Sequence, residues 1–231
     1  MSLLFITVLN MSLTASYVAL VVIFIRMLLG KFPKIFSYIL WAIVLFRLFC
    51  PISIGSSLSM VPIKSPIPYD IATVTNPNVI RFGIESVDSV LNQSIKPYMP
   101  MANPVASINP MGIMMEVVSA VWLLGIAVIL CYSIISYIRF KARLSTATLY
   151  KDNIFETDRI QTPLVLGFIR PKIFIPTGLA QNELGYILKH EQVHIKRKDY
   201  IIKPVAFLAV ALHWFNPLIW FCYYLMSKDL E

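Results

Sequence analysis

Residues 182–199 read NELGYILKHEQVHIKRKD, with His190-Glu191-Gln192-Val193-His194 at their centre. On a helix, positions four apart lie one above the other on a single face. The imidazoles of His190 and His194 then reach one metal ion, with the Glu191 carboxylate beside them. This is the H-E-x-x-H spacing, in which two His bind zinc and the Glu serves as general base toward a zinc-bound water. The residue types suit that chemistry. Neutral imidazole is a good zinc ligand, and the ion lowers the pKa of a bound water from about 15.7 to about 7. The chain has three histidines, and two of them fall in this pair. The alternative is a charged surface turn of helix carrying two unrelated histidines.

Around this stretch the composition is not that of an ordinary soluble domain. Of 231 residues, 58% are hydrophobic and 14% charged, which reads as an integral membrane protein. Cys50, Cys131 and Cys222 lie far apart in apolar surroundings and form no C-x-x-C pair. That argues against a disulfide scaffold and against a cysteine zinc site.

Leu3 to Ile25 is an apolar run of spanning length, closed by Arg26. It lacks the basic start of a cleavable signal and reads as a first span. A basic connector with Lys31 and Lys34 follows, and Ile35 to Cys50 is a second, shorter run. Residues 1–51 thus read as two transmembrane helices. Residues 52–111 hold eight of the fifteen prolines and balance three basic against three acidic side chains, an irregular extracellular loop. Residues 112–138 are the third span, followed at once by Arg139, Lys141 and Arg143.

Basic residues collect near the cytoplasmic ends of spans. The first connector and the region from 139 onward are therefore expected inside, and the amino terminus and Pro-rich loop outside. Residues 139–203 carry twelve basic and six acidic side chains, a surplus suited to anionic inner-leaflet lipid. These charges follow membrane topology rather than a groove-reading element, so no direct nucleic-acid partner is expected. Arg47 and Glu116 each fall about four residues, roughly 6 Å, inside the outer end of a span. They are expected to pair, since a lone charge there is costly; snorkelling of Arg47 is the other reading.

From Ser145 the pattern turns soluble. Thr148–Tyr150 and Asn153–Thr157 suit short strands. Thr162–Ile175, TPLVLGFIRPKIFI, reads as a strand, a turn near Arg170-Pro171 and a second strand ending at Pro176. Proline within such a run points to a sheet edge. That edge either receives an extended peptide substrate or is an ordinary structural hairpin. Gln181 or Asn182 is the expected N-cap of the motif helix.

A catalytic zinc of this kind takes three protein ligands. Beyond the motif the acids near the carboxy terminus are Asp229 and Glu231, and the remaining imidazole is His213. Residues 201–226 between them are apolar enough to cross a bilayer once, which would leave Glu231 some 30 Å from the metal. His213-Trp214-Phe215-Asn216-Pro217 at the middle favours a helix-breaking turn. Two arms of about 12 residues, each roughly 18 Å long, would make a re-entrant hairpin whose turn must be buried in protein. His213 reads as a turn residue ahead of a metal ligand.

The stretches LFRLFCPISI (45–54), WLLG (122–125), TPLVLGFIRPKIFIP (162–176), ILKHEQVHIKRKD (187–199) and LHWFNPLIW (212–220) resemble the membrane metallopeptidase region of the BlaR/MecR-type β-lactam-sensing antirepressors, a gluzincin family. The resemblance implies zinc as cofactor, His190, His194 and Glu231 as its ligands, and Glu191 as catalytic base. Glu231 stands at the family's spacing of about forty residues after the first His. The Asp that follows in the family, and the extracellular penicillin-binding sensor domain, would lie beyond residue 231.

The expected fold is an α-helical polytopic membrane protein with a small α+β, zincin-like cytoplasmic metallopeptidase domain at 139–231, including the hairpin 201–226. The expected function is a zinc endopeptidase of the bacterial cell membrane, acting on itself or on a cytoplasmic repressor in antibiotic and cell-wall stress signalling. Its expected partners are the bilayer, a protein substrate, and a sensor domain or second copy. The alternative is a signalling or scaffold membrane protein whose zinc site is structural or inactive.

Overall fold

Ser2–Leu28 forms helix α1, 27 residues with neither Gly nor Pro to interrupt them. At about 1.5 Å rise per residue it is roughly 40 Å long, more than the ~30 Å hydrocarbon core of a bilayer. α2 is Lys34–Phe49 and α3 is Pro110–Arg143. The computed structural model describes residues 2–28, 34–50, 67, 89–90, 93–94, 110–179 and 181–231. The expected extracellular loop at 52–111 and the middle of the first connector lie almost wholly outside the described residues. Among the described residues two helices, Ser2–Leu28 and Gly112–Thr146, are long and apolar enough to cross a membrane. α2, also read as a span, has 16 residues and measures roughly 24 Å.

After α3 come β1 (Thr148–Lys151), β2 (Ile154–Thr157), β3 (Leu164–Leu166) and β4 (Lys172–Pro176). The motif helix α4 (Gln181–Lys196), then α5 (Asp199–Leu212) and α6 (Pro217–Leu230) complete the chain. α4 starts at Gln181, so both expected cap residues lie inside the helix. The chain divides into two compact units, residues 1–127, 209–229 and 231 in one, residues 128–208 and 230 in the other.

In the first unit α1 packs on α2. The buried face of α1 carries Ser12, Ala15 and Ala19, small side chains that let helices approach closely. Asn10, also buried, spends its amide on one backbone: Nδ2 donates to Ile67 O at 2.9 Å, and Oδ1 accepts from Ile67 N at 2.8 Å. In the turn at 213–216 His213 is buried and Trp214, Phe215 and Asn216 are half-buried. His213 Nε2 donates to Leu48 O at 3.1 Å, and Trp214 Nε1 to Trp122 O at 3.2 Å. Asn216 donates to both Ser12 Oγ and Ser16 Oγ at 2.8 Å, while its Oδ1 caps α6 by accepting from Leu218 N. Pro217 follows at the first helical position, where a missing N–H costs nothing. Trp122 Nε1 in turn donates to Leu212 O at 2.9 Å.

The expected Arg47–Glu116 pair does not form. Glu116 is exposed, whereas Met115, one residue before it, packs inward against Ile6 and Ile67. A step of one residue is about 100° of rotation, enough to turn the carboxylate away. Among the described residues, Arg26 and Asp229 form an ion pair that joins helices in this unit.

The second unit holds the sheet, in the order β1-β2-β4-β3. β1–β2 and β3–β4 are antiparallel, and β2 runs parallel to β4. Alternation along strands gives the sheet two distinct faces. Ile154, Ile173, Ile175 and Val165 share one face and pack against Leu184, Leu188 and Ile195 of α4. Phe155 and Phe174, paired across β2 and β4, lie on the other.

Candidate metal centre

Leu184, Leu188, Glu191 and Ile195 follow one another at helical spacing, so Glu191 belongs to the stripe of α4 that meets the sheet. It is accordingly buried, with 9% of its surface exposed. His190 and His194 lie on a neighbouring strip of the same helix. Their Nε2 atoms face each other at 3.2 Å. Two nitrogens at 2.0–2.1 Å from a tetrahedral zinc stand about 3.3 Å apart, so this spacing fits a shared ion.

What fixes His194 comes from beyond the helix. α4 stops at Lys196, and Lys198 adopts φ 60°, a left-handed turn of the kind that ends helices. The reversal brings Asp199, first residue of α5, back beneath the motif. Its Oδ2 accepts from His194 Nδ1 at 2.7 Å. A carboxylate oxygen only accepts, so Nδ1 carries a proton, and in the neutral ring the Nε2 lone pair faces His190. Asp199 has 3% of its surface exposed and is also 3.6 Å from Arg197 Nε. A buried carboxylate is stable only when paired, and His194 and Arg197 both present donors to it.

The arrangement can hold a divalent metal through the two Nε2 atoms, with a carboxylate locking one ring in the required tautomer. Such carboxylate–histidine–metal triads orient the ligand and raise its basicity. Asp199 lies inside residues 182–199 but outside the H-E-x-x-H spacing. The available signal was an acid five residues after the second His, the first residue of the next helix.

Among the described residues no three His, Cys, Asp or Glu side chains gather as a metal-ligand set. The structure unites His190 and His194 and supports them with Asp199. Glu231 is an exposed residue after α6. His213 serves the buried turn, as the sequence reading has it.

The remaining feature of the site is the sheet edge. β3 is the outermost strand beyond β4, and it contacts α4. The edge expected from Pro171 therefore lies beside the helix that carries the histidines.

The sequence matches the family described as BlaR1 peptidase M56 over residues 6–231. The chain belongs to the BlaR1 peptidase M56 family. Individual relatives match over shorter stretches. The regulatory protein BlaR1 of Bacillus licheniformis is 31% identical over 135 residues, 48% of this chain and 22% of that protein. The methicillin resistance mecR1 proteins of Staphylococcus aureus and Staphylococcus epidermidis are each 29% identical over 99 residues, 40% of this chain and 17% of theirs. The matched region thus spans about a fifth of the length of these relatives. Every element of the candidate centre falls inside the M56 match, and peptidase chemistry is the family's.

Proposed function

We propose that this M56 member is a membrane-embedded, zinc-dependent endopeptidase whose active site faces the cytoplasm. The observation that carries the reading is the His190–His194 pair, with Nε2 atoms 3.2 Å apart and one ring fixed by Asp199. His190 and His194 are the helix ligands, and Glu231, assigned by its spacing in the family, is the third. Zinc, when bound, supplies Lewis-acid polarisation of the scissile carbonyl and makes a bound water a strong nucleophile near neutral pH.

Glu191 is the group that accepts a proton from the attacking water and returns it to the leaving amine. Its burial beside the sheet suits it to that exchange, since a carboxylate shielded from bulk water keeps its proton for the substrate. β3 offers an unpaired strand edge beside α4, to which an extended peptide adds by main-chain hydrogen bonds. α1 and α3 are membrane spans, α2 completes the multi-pass bundle, and 201–226 is a re-entrant hairpin. The substrate class is protein: a second segment of this same polypeptide or a cytoplasmic repressor, cut in response to cell-wall-directed antibiotics.

The test is Glu191→Gln in the full chain in detergent, with zinc measured by elemental analysis and cleavage by gel. The expected result is unchanged zinc and no cleavage. Cleavage at the wild-type rate would sink the mechanism, and zinc with no turnover in the wild type would favour a structural metal site.

A further inference from the structure

A second feature of the 128–208 unit lies on the face of the sheet away from α4. Phe155 and Phe174 on that face, the end of α3, and the turn at 167–170 enclose a cavity of about 830 Å³. Its lining includes Lys141, Arg170 and Lys172 and contains no acidic side chain. Lys172 lies 4.3 Å above the Phe155 ring, and no ion pair neutralises any of the three among the described residues. A cavity that gathers three uncompensated cations is built for an anion.

The surroundings say which anion. Gly167, at φ 120°, turns the chain so that Phe168 and Ile169 form a protruding tip, with Ile169 91% exposed. Phe168 packs on Tyr137 of α3 with ring centroids 5.6 Å apart. Ile138 of α3 lines the cavity and is exposed, as are Ile134 and Ile135 one turn earlier on the same helix. An apolar tip and an apolar helix surface leading into a basic pocket have the two-part chemistry of a lipid: acyl chain outside, phosphate within.

We propose that this cavity binds the headgroup of an anionic phospholipid, with Lys141, Arg170 and Lys172 around the phosphodiester. An acyl chain lies along Ile138 and Ile169. The proposal rests on the membrane reading of α3 but is independent of the peptidase centre, which occupies the opposite face of the sheet. Lipid bound here pins the sheet, and with it the floor of α4, to the bilayer surface.

Native mass spectrometry of the full chain in neutral detergent, with phosphatidylglycerol or phosphatidylcholine added, tests it. Phosphatidylglycerol is expected to be retained at least ten-fold better. Each of Lys141→Gln, Arg170→Gln and Lys172→Gln should weaken retention about five-fold, the effect of one basic side chain near an anionic surface. Lys172→Arg should restore it, and Phe168→Ser with Ile169→Ser should lower retention of both lipids. Equal retention of the two lipids, or a triple Gln variant that binds as the parent does, would overturn the proposal. So would displacement by equimolar inorganic phosphate, which marks a soluble-anion site, or by an acidic peptide, which marks a protein partner. Zinc content and cleavage are read on the same variants and are expected to be unchanged, so a failed peptidase assignment shows in those readouts and not in lipid retention.

Discussion

Arg26 and Asp229, 203 residues apart, meet in a two-point ion pair, Nε to Oδ2 at 2.7 Å and Nη2 to Oδ1 at 2.5 Å. Trp41 Nε1 also donates to Asp229 Oδ2, at 2.8 Å. One carboxylate thus ties α1, α2 and the last turn of α6. Asp229→Ala strands a guanidinium and an indole N–H that are both partly buried. The expected cost is about 1–3 kcal/mol, seen as a lower unfolding temperature in detergent. Asp229→Asn, which keeps an acceptor for Trp41, should lose less. Equal stability of all three proteins would show that the clamp contributes nothing.

His194 depends on Asp199 for its tautomer. Asp199→Ala removes the acceptor for Nδ1–H and frees the ring to turn. Zinc affinity is expected to fall about 10–100-fold, the usual loss when such a partner is removed. A competition titration with a zinc chelator measures it, and an affinity within two-fold or so of the parent would refute the role.

In the proposed mechanism the two histidines and Glu191 have separable roles. His190→Ala and His194→Ala each remove a donor from the metal, so both zinc and cleavage are expected to disappear. Glu191→Gln should lose cleavage alone. Elemental analysis of the three variants separates the classes, and full zinc occupancy in either His variant contradicts the assignment.

Two glycines give a stability contrast with opposite signs. A Cβ built on Gly125 would stand 2.4 Å from the Trp214 ring, and that indole is held by its bond to Trp122 O. Gly125→Ala should destabilise by about 1–3 kcal/mol through overpacking. Gly185 in α4 has nothing within 4 Å of the same position. Gly185→Ala is expected to stabilise by about 0.5–1 kcal/mol, because alanine loses less backbone freedom in a helix. Thermal unfolding of the pair checks both signs at once.

The sequence made the helices and strands readable because their signals are local. Apolar runs marked α1 and α3, Asn216-Pro217 marked the break between α5 and α6, and Pro171 marked the turn before β4. His190, Glu191 and His194 were legible because all three lie within five residues of one helix. Asp199 was not, since its approach to His194 depends on the left-handed turn at Lys198, a conformation that Lys does not advertise. Arg26–Asp229 was hidden by distance along the chain. The expected Arg47–Glu116 pair failed for a related reason: depth in a span is set by residue count, but facing is set by rotation, and Glu116 points the wrong way.

The mixed sheet implies an order of assembly. β1–β2 and β3–β4 are each hairpins that close over a few residues, and only the parallel β2–β4 seam joins them. Short loops close quickly, whereas the seam must wait until both halves exist. α4 rests on Ile154 from one half and on Ile173 and Ile175 from the other. The histidine helix therefore has no complete floor until the two hairpins dock, and the His190–His194 pair is among the last parts of its unit to be set in place.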